Sequence, residues 1–93
     1  MIRSFSSKET EKIFNRERSQ KLPANIQQVA LRKLRMLNRA VTWQDLRVPP
    51  ANRLEKLSGE RAGQYSIRLN DQWRICFEWD AGDAQNVEIV AYH

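Results

Sequence analysis

The hydrophobic periodicity of the chain changes once, and that change most constrains its fold. Up to Arg39 the apolar residues recur at spacings of three and four, and from Arg53 they alternate with a period of two. Between the two regimes, Pro49-Pro50 stops helical structure. Helices first and strands second predict an α+β fold: a twisted antiparallel sheet with two or three helices packed on one face. The 93 residues make one domain, 1–93, with no repeat, linker or low-complexity stretch. A chain this short has a modest core, so any catalytic site must lie in a shallow cleft or on an open face.

In the helical half, Ile2-Arg3-Ser4-Phe5 reads as a short first strand. Ser6 or Ser7 then caps a helix ending at Phe14, with acidic residues in its first turn. Asn15 to Lys21 is polar and charged, and is expected to be a loop that is disordered without a partner. The strongest helix opens at Leu22-Pro23-Ala24-Asn25 and runs from about Ile26 to Arg39. Ile26, Val29, Ala30, Leu34 and Leu37 form its apolar stripe, and Arg32, Lys33, Arg35 and Arg39 are expected largely off it. Thr42-Trp43-Gln44-Asp45 has the capping-box form with Asp in place of Glu.

The second half reads as a meander. Leu54 to Leu57 is a short strand candidate, and Ser58 to Gly63 is a turn-rich loop. Tyr65–Leu69, Trp73–Trp79 and Val87–Tyr92 alternate, separated by turns at Asn70-Asp71-Gln72 and Asp80-Ala81-Gly82-Asp83. Ile67, Leu69, Trp73, Ile75, Phe77, Val87 and Ile89 point together and make the core face, with Trp79 and Tyr65 at its edge. Ser66, Arg68, Arg74, Cys76, Glu78, Glu88 and Tyr92 share the opposite face, which the simplest reading leaves in water. Arg74 stands out there, between Trp73 and Ile75 in the middle strand. A guanidinium so placed is preorganised for a planar anion such as phosphate, and a carboxylate such as Glu78 or Glu88 would satisfy it equally well.

Sixteen Lys and Arg against eleven Asp and Glu give a net charge of +5. That balance in a small domain favours a polyanionic partner such as nucleic acid. Arg53, Lys56, Arg61, Arg68 and Arg74 fall within the sheet half and suggest an anionic ligand. The single cysteine, Cys76, excludes an internal disulfide framework and a Cys-rich zinc site, and the alternation makes it a buried, inert thiol. One histidine, His93, leaves the usual soft-metal ligand set incomplete, so neither metal nor cofactor is expected. No apolar run approaches the length of a membrane span and no signal core follows Met1, so a reducing cytoplasm is the expected compartment. There is no phosphate-binding loop, dinucleotide fingerprint or catalytic triad.

Several ordered motifs now carry a resemblance. They are Asn52-Arg53-Leu54-Glu55-Lys56-Leu57-Ser58-Gly59, Gly63-Gln64-Tyr65-Ser66-Ile67-Arg68-Leu69-Asn70, Gln72-Trp73-Arg74-Ile75-Cys76-Phe77 and the terminal Tyr92-His93. Together with the opening Met1 to Phe5 they resemble the HigB toxins, or plasmid maintenance system killer proteins, of the RelE-like superfamily. The resemblance implies a small α+β fold and an endoribonuclease that cuts mRNA in the ribosomal A site. It implies a HigA-type helix-turn-helix antitoxin and binding of operator DNA by the toxin–antitoxin complex. It maps the family's phosphate-binding arginine onto Arg74 and its terminal pair onto Tyr92 and His93. Some members carry a catalytic His and Lys where this chain has Glu55 and Ser58, with Lys56 adjacent, which implies a weaker or differently arranged nuclease.

The chemistry implied has few parts. The RNA's own 2′-OH attacks the neighbouring phosphorus. A base takes the 2′ proton, an acid protonates the leaving 5′ oxygen and a cation stabilises the phosphorane. Arg74 suits the last role, and Arg53, Lys56, Arg61 and Arg68 are candidates to bind RNA. His93, Tyr92 and Glu55 are candidates for proton transfer, with a solvated salt bridge as the alternative reading of Glu55 and a frayed end as that of His93. The competing functional readings are a non-catalytic translation inhibitor on the same fold and a basic protein-interaction module.

Overall fold

The computed structural model describes residues 1–91, and Tyr92 and His93 lie outside the described residues. Two helices come first, α1 (Lys8–Phe14) and α2 (Ala24–Arg39). Three short 3-10 turns follow at Trp43–Arg47, Pro50–Asn52 and Gly59–Arg61. The strands are β1 (Glu55–Lys56), β2 (Gln64–Arg68), β3 (Trp73–Asp80) and β4 (Asp83–Ala91). They form one antiparallel sheet in the order β1-β2-β3-β4, the meander the period of two predicted. Both helices contact the sheet, so the architecture is α+β.

Local chemistry sets the element ends. Ser7 caps α1, its Oγ accepting from the Thr10 amide at 3.3 Å. The Asp45 carboxylate accepts from the Val41 and Thr42 amides at 2.9 and 3.0 Å, which closes the predicted capping box over a 3-10 turn. Ala81 and Gly82 both adopt positive φ between the paired Asp80 and Asp83, the left-handed pair that a two-residue hairpin requires.

The core lies between α2 and the sheet. Ile26, Ala30, Leu34 and Leu37 meet Ile67, Ile75, Phe77 and Val87, all fully buried. In β4 the inward parity switches at a bulge: two residues, Asn86 and Val87, stand opposite Phe77, and Asn86 takes φ 52°. Ala84 before the bulge and Val87 after it therefore both face the core, although strict alternation would separate them.

The N-terminal segment is not a regular strand. It makes two isolated parallel bridges to β4, Ile2 with Ala84 and Phe5 with Val87. Beyond it, the Ile89 amide donates to the buried Thr10 Oγ1 of α1 at 2.9 Å. These contacts occupy the outer hydrogen-bonding edge of β4, which would otherwise be a template for strand addition. The stretch from Asn15 to Lys21 is tied to both helices. Ser19 is buried in this stretch and its Oγ donates to Glu9 at 2.7 Å, while Gln27 of α2 bonds both its amide and its carbonyl.

Candidate active site

The sheet face away from α2 carries the site. Cross-strand register aligns Glu55, Ser66, Cys76 and Glu88 in one row, and Arg68, Arg74 and Val90 in the next. The loop from Leu57 to Arg61 folds over this face. A concavity of about 460 Å³ results, lined among others by Glu55, Ser58, Arg61, Ser66, Arg74 and Cys76.

The expectation of a solvated face is corrected at its centre. Ser66, Arg74 and Cys76 are buried, and Arg74 retains only 5% exposure. A buried guanidinium must be hydrogen-bonded to offset its lost hydration. Its Nε donates to Ser66 Oγ at 2.8 Å and its Nη2 to the Arg53 carbonyl at 2.7 Å. Glu55, and not the expected Glu78 or Glu88, brings a carboxylate oxygen to 3.9 Å from Nη2. Glu78 instead accepts from Asn86 Nδ2 at 2.8 Å. Arg74 thus forms a cationic floor whose orientation is fixed from two sides.

The Arg53 carbonyl is itself held by an unusual backbone. Arg53 adopts φ 44° and ψ 57°, the left-handed region, directly after the 3-10 turn Pro50–Asn52. The preceding Asn52 is fully buried, and its Oδ1 accepts from Lys33 Nζ of α2 at 2.6 Å. Its Nδ2 donates to the carbonyls of Leu46 at 3.1 Å and Val48 at 3.5 Å. Lys33 is therefore not off the apolar stripe, as expected from its charge. It is buried at 5% exposure, and loss of hydration, with Arg32 and Arg68 nearby, pulls its amine below the ordinary lysine range. A continuous set of contacts runs from α2 through Asn52 and Arg53 to Arg74. The sequence alone did not single out Lys33 and Asn52; the spacing of Lys33 from Ile26, Ala30 and Leu37 was the legible signal.

The other predicted residues are distributed more widely. Arg61 Nη1 donates to Glu88 Oε1 and Gln64 Oε1, each at 3.0 Å, and the Glu88 bond raises its pKa further. Arg68 stands beside Arg74 and pairs with Asp71. Lys56 pairs with Tyr65 in the register, on the helix side of the sheet. Its ammonium lies 5.6 Å from the Trp43 ring and 5.9 Å from the Tyr65 ring, while other atoms of the residue line the concavity. Glu55 keeps about half its side chain in solvent. Burial pushes the Cys76 thiol above its usual range, so it is not poised as a nucleophile. The Tyr92 and His93 positions lie outside the described residues. Among the described residues, no three His, Cys, Asp or Glu come together as a metal-binding group, and no helix is long and apolar enough to cross a membrane.

With this geometry in view, comparison with known proteins decides the family. Residues 3–93 match the family model of the HigB-like toxin, the RelE-like toxin HigB of type II toxin–antitoxin systems. This chain belongs to the HigB-like toxin family. It is 39% identical to Toxin HigB-1 of Vibrio cholerae serotype O1 over 87 residues, 92% of each chain. It is 29% identical to Endoribonuclease HigB of Proteus vulgaris over the full length of both. Membership of a type II HigB-like family carries an antitoxin partner with it.

Proposed function

We propose that this HigB-like toxin is an endoribonuclease that cuts mRNA on the ribosome by metal-independent transesterification. The observation that carries the reading is Arg74, fixed by Ser66 and Arg53 on the floor of the concavity beside Glu55. The name of the Proteus vulgaris relative, an endoribonuclease, supports it. In the step proposed, the RNA's 2′ oxygen forms a bond to phosphorus and the bond from phosphorus to the 5′ oxygen breaks. A 2′,3′-cyclic phosphate and a free 5′-hydroxyl are the products. Charge develops on the non-bridging oxygens, and a prepositioned guanidinium stabilises it without having to reorganise. Glu55, beside Arg74, is proposed to take the 2′ proton, and His93 or Tyr92 to return a proton to the leaving oxygen. Arg53, Lys56, Arg61 and Arg68 are proposed RNA contacts. The partners proposed are a HigA-type helix-turn-helix antitoxin, the ribosome and, through the antitoxin complex, operator DNA.

One observation favours a second reading, a translation inhibitor with little or no cleavage. The Lys56 ammonium is turned to the other side of the sheet, and Glu55 and Ser58 occupy the rim. Primer extension on a defined mRNA separates the two. Wild type is compared with Arg74→Ala and with a chain lacking His93, each with and without purified 70S ribosomes. Cuts that require ribosomes and vanish in both variants establish the nuclease and its site. Ribosome binding with no cuts by wild type establishes the inhibitor.

A further inference from the structure

The positive charge of this chain is not where the Arg74 concavity is. Residues 53–91 hold five Lys and Arg against seven Asp and Glu, so the sheet half is net acidic despite its arginines. Residues 18–44 hold six, namely Arg18, Lys21, Arg32, Lys33, Arg35 and Arg39, and no acidic residue. The excess that gives the chain its +5 is therefore concentrated in and before α2.

The α2 helix gathers three of these six cations into a stripe. Asn25, Gln28, Arg32, Arg35 and Arg39 repeat at spacings of three and four and are all exposed. They lie opposite the core residues Ile26, Ala30, Leu34 and Leu37. The three arginines span about 10 Å along the helix axis, from the 1.5 Å rise per residue. None of them enters an ion pair among the described residues. An exposed 16-residue helix ordinarily mixes both signs, because (i, i+4) pairs stabilise it and like charges do the reverse. A concavity of about 980 Å³ runs along this face, with half-buried Phe14, Val29 and Leu31 on its sides.

We propose that the outer face of α2 is a second RNA-contact surface, which grips the phosphate backbone of a folded RNA away from the Arg74 site. This deepens the nuclease reading and rests on it for the identity of the polyanion. Guanidinium groups match phosphate in bidentate fashion, and Asn and Gln amides add backbone contacts. An acidic protein segment has the same charge but needs an apolar anchor at its centre. Among the described residues the exposed large apolar side chains are Met1, Val41 and Val48, none of them on this face, where Phe14, Val29 and Leu31 are only partly exposed. The core of the sheet separates α2 from the Arg74 concavity, so a short single strand cannot lie flat on both. An RNA that engages both surfaces must fold around the protein, as a structured RNA or a ribonucleoprotein does.

Fluorescence anisotropy with a labelled, fully 2′-O-methylated RNA hairpin tests this, since the probe binds but cannot be cleaved. The variant Arg32→Gln/Arg35→Gln/Arg39→Gln is compared with a charge-matched control, Lys8→Gln/Lys12→Gln/Arg47→Gln, after thermal melts verify both folds. The stripe variant is expected to lose roughly 10- to 100-fold in affinity near 0.1 M salt. The slope of log affinity against log salt is expected to fall by about two to three, at about 0.9 per phosphate contact. The control is expected to stay within about threefold of wild type. Equal losses in the two variants, no loss in the stripe variant, or no measurable binding by wild type would each overturn the proposal. Undiminished hairpin binding together with lost binding of the antitoxin would instead assign the face to an acidic protein. Failure of the nuclease reading shows separately, as wild-type protein that binds ribosomes but makes no cuts in the primer-extension assay.

Discussion

Replacing Asn52 with alanine probes the buried junction that links α2 to Arg74. The substitution removes the acceptor of the 2.6 Å bond from Lys33 and the donor to the Leu46 carbonyl, both inside the protein. A hydrogen bond to a charged group contributes about 1.5–3 kcal/mol, and an orphaned buried carbonyl costs about 1–3 kcal/mol. The expected destabilisation is about 3–4 kcal/mol, a large share of the roughly 5–15 kcal/mol that holds such a domain together. It corresponds to a fall of about 15–25 °C in Tm for a chain of this size. Urea unfolding followed by fluorescence of the three tryptophans measures it.

Lys33→Met should cost less, because it leaves Asn52 Oδ1 without a partner but also removes a buried charge. The pair Lys33→Met/Asn52→Leu should cost less than the sum of its singles by about 1–3 kcal/mol. The pH dependence has a definite sign. Lys33 has a folded pKa below its unfolded value, so the unfolded chain binds more protons in that interval. Its contribution makes stability rise with pH up to about 10.4, where the free side chain deprotonates. Lys33→Met should flatten that rise. An Asn52→Ala cost below about 1 kcal/mol, or strict additivity of the pair, would refute the coupling.

Further expectations concern the site and the turns. Arg74→Lys keeps the charge but cannot donate at once to Ser66 and to the Arg53 carbonyl, so single-turnover cleavage should slow by about 100-fold or more. The Cys76 thiol, buried and raised in pKa, should react with a disulfide reagent only on unfolding, as absorbance of the released thiolate would show; rapid native-state reaction would contradict its burial. Ala81→Asn should stabilise the hairpin by about 0.5–1 kcal/mol in urea melts, because Ala81 is held at φ 50° and Asn tolerates that region. Glu9, Asp45 and Asp83 are held below the usual carboxylate range by Ser19, the Thr42 amide and Arg3, respectively. Their stabilisation is present above the unfolded pKa and is lost as pH falls through the folded pKa, so Asp45→Asn should flatten the acid limb of a Tm–pH profile.

Much of this protein was legible in its sequence because two periods, 3.6 and 2, are local properties of the chain. They placed α2, the β2–β3–β4 meander and the core residues Ile67, Ile75 and Phe77 without any knowledge of contacts. The same alternation put Arg74 on one face with Ser66 and Cys76, and ordered motifs pointed to the family. Tertiary structure alone decided what that face is. Whether Ser66, Arg74 and Cys76 meet water depends on the loop that folds over them, and no periodicity encodes that. Only β1 pairing brings Glu55 to Arg74 and turns Lys56 toward Trp43, since one residue of register exchanges the two faces. The bulge at Asn86 reverses the parity of β4 for the same reason. Burial of Lys33 likewise depends on a partner 19 residues away, Asn52, whose amide makes an interior ammonium tolerable. Sequence fixes which groups a strand or helix can present, and long-range packing fixes which of them lose their water and acquire partners.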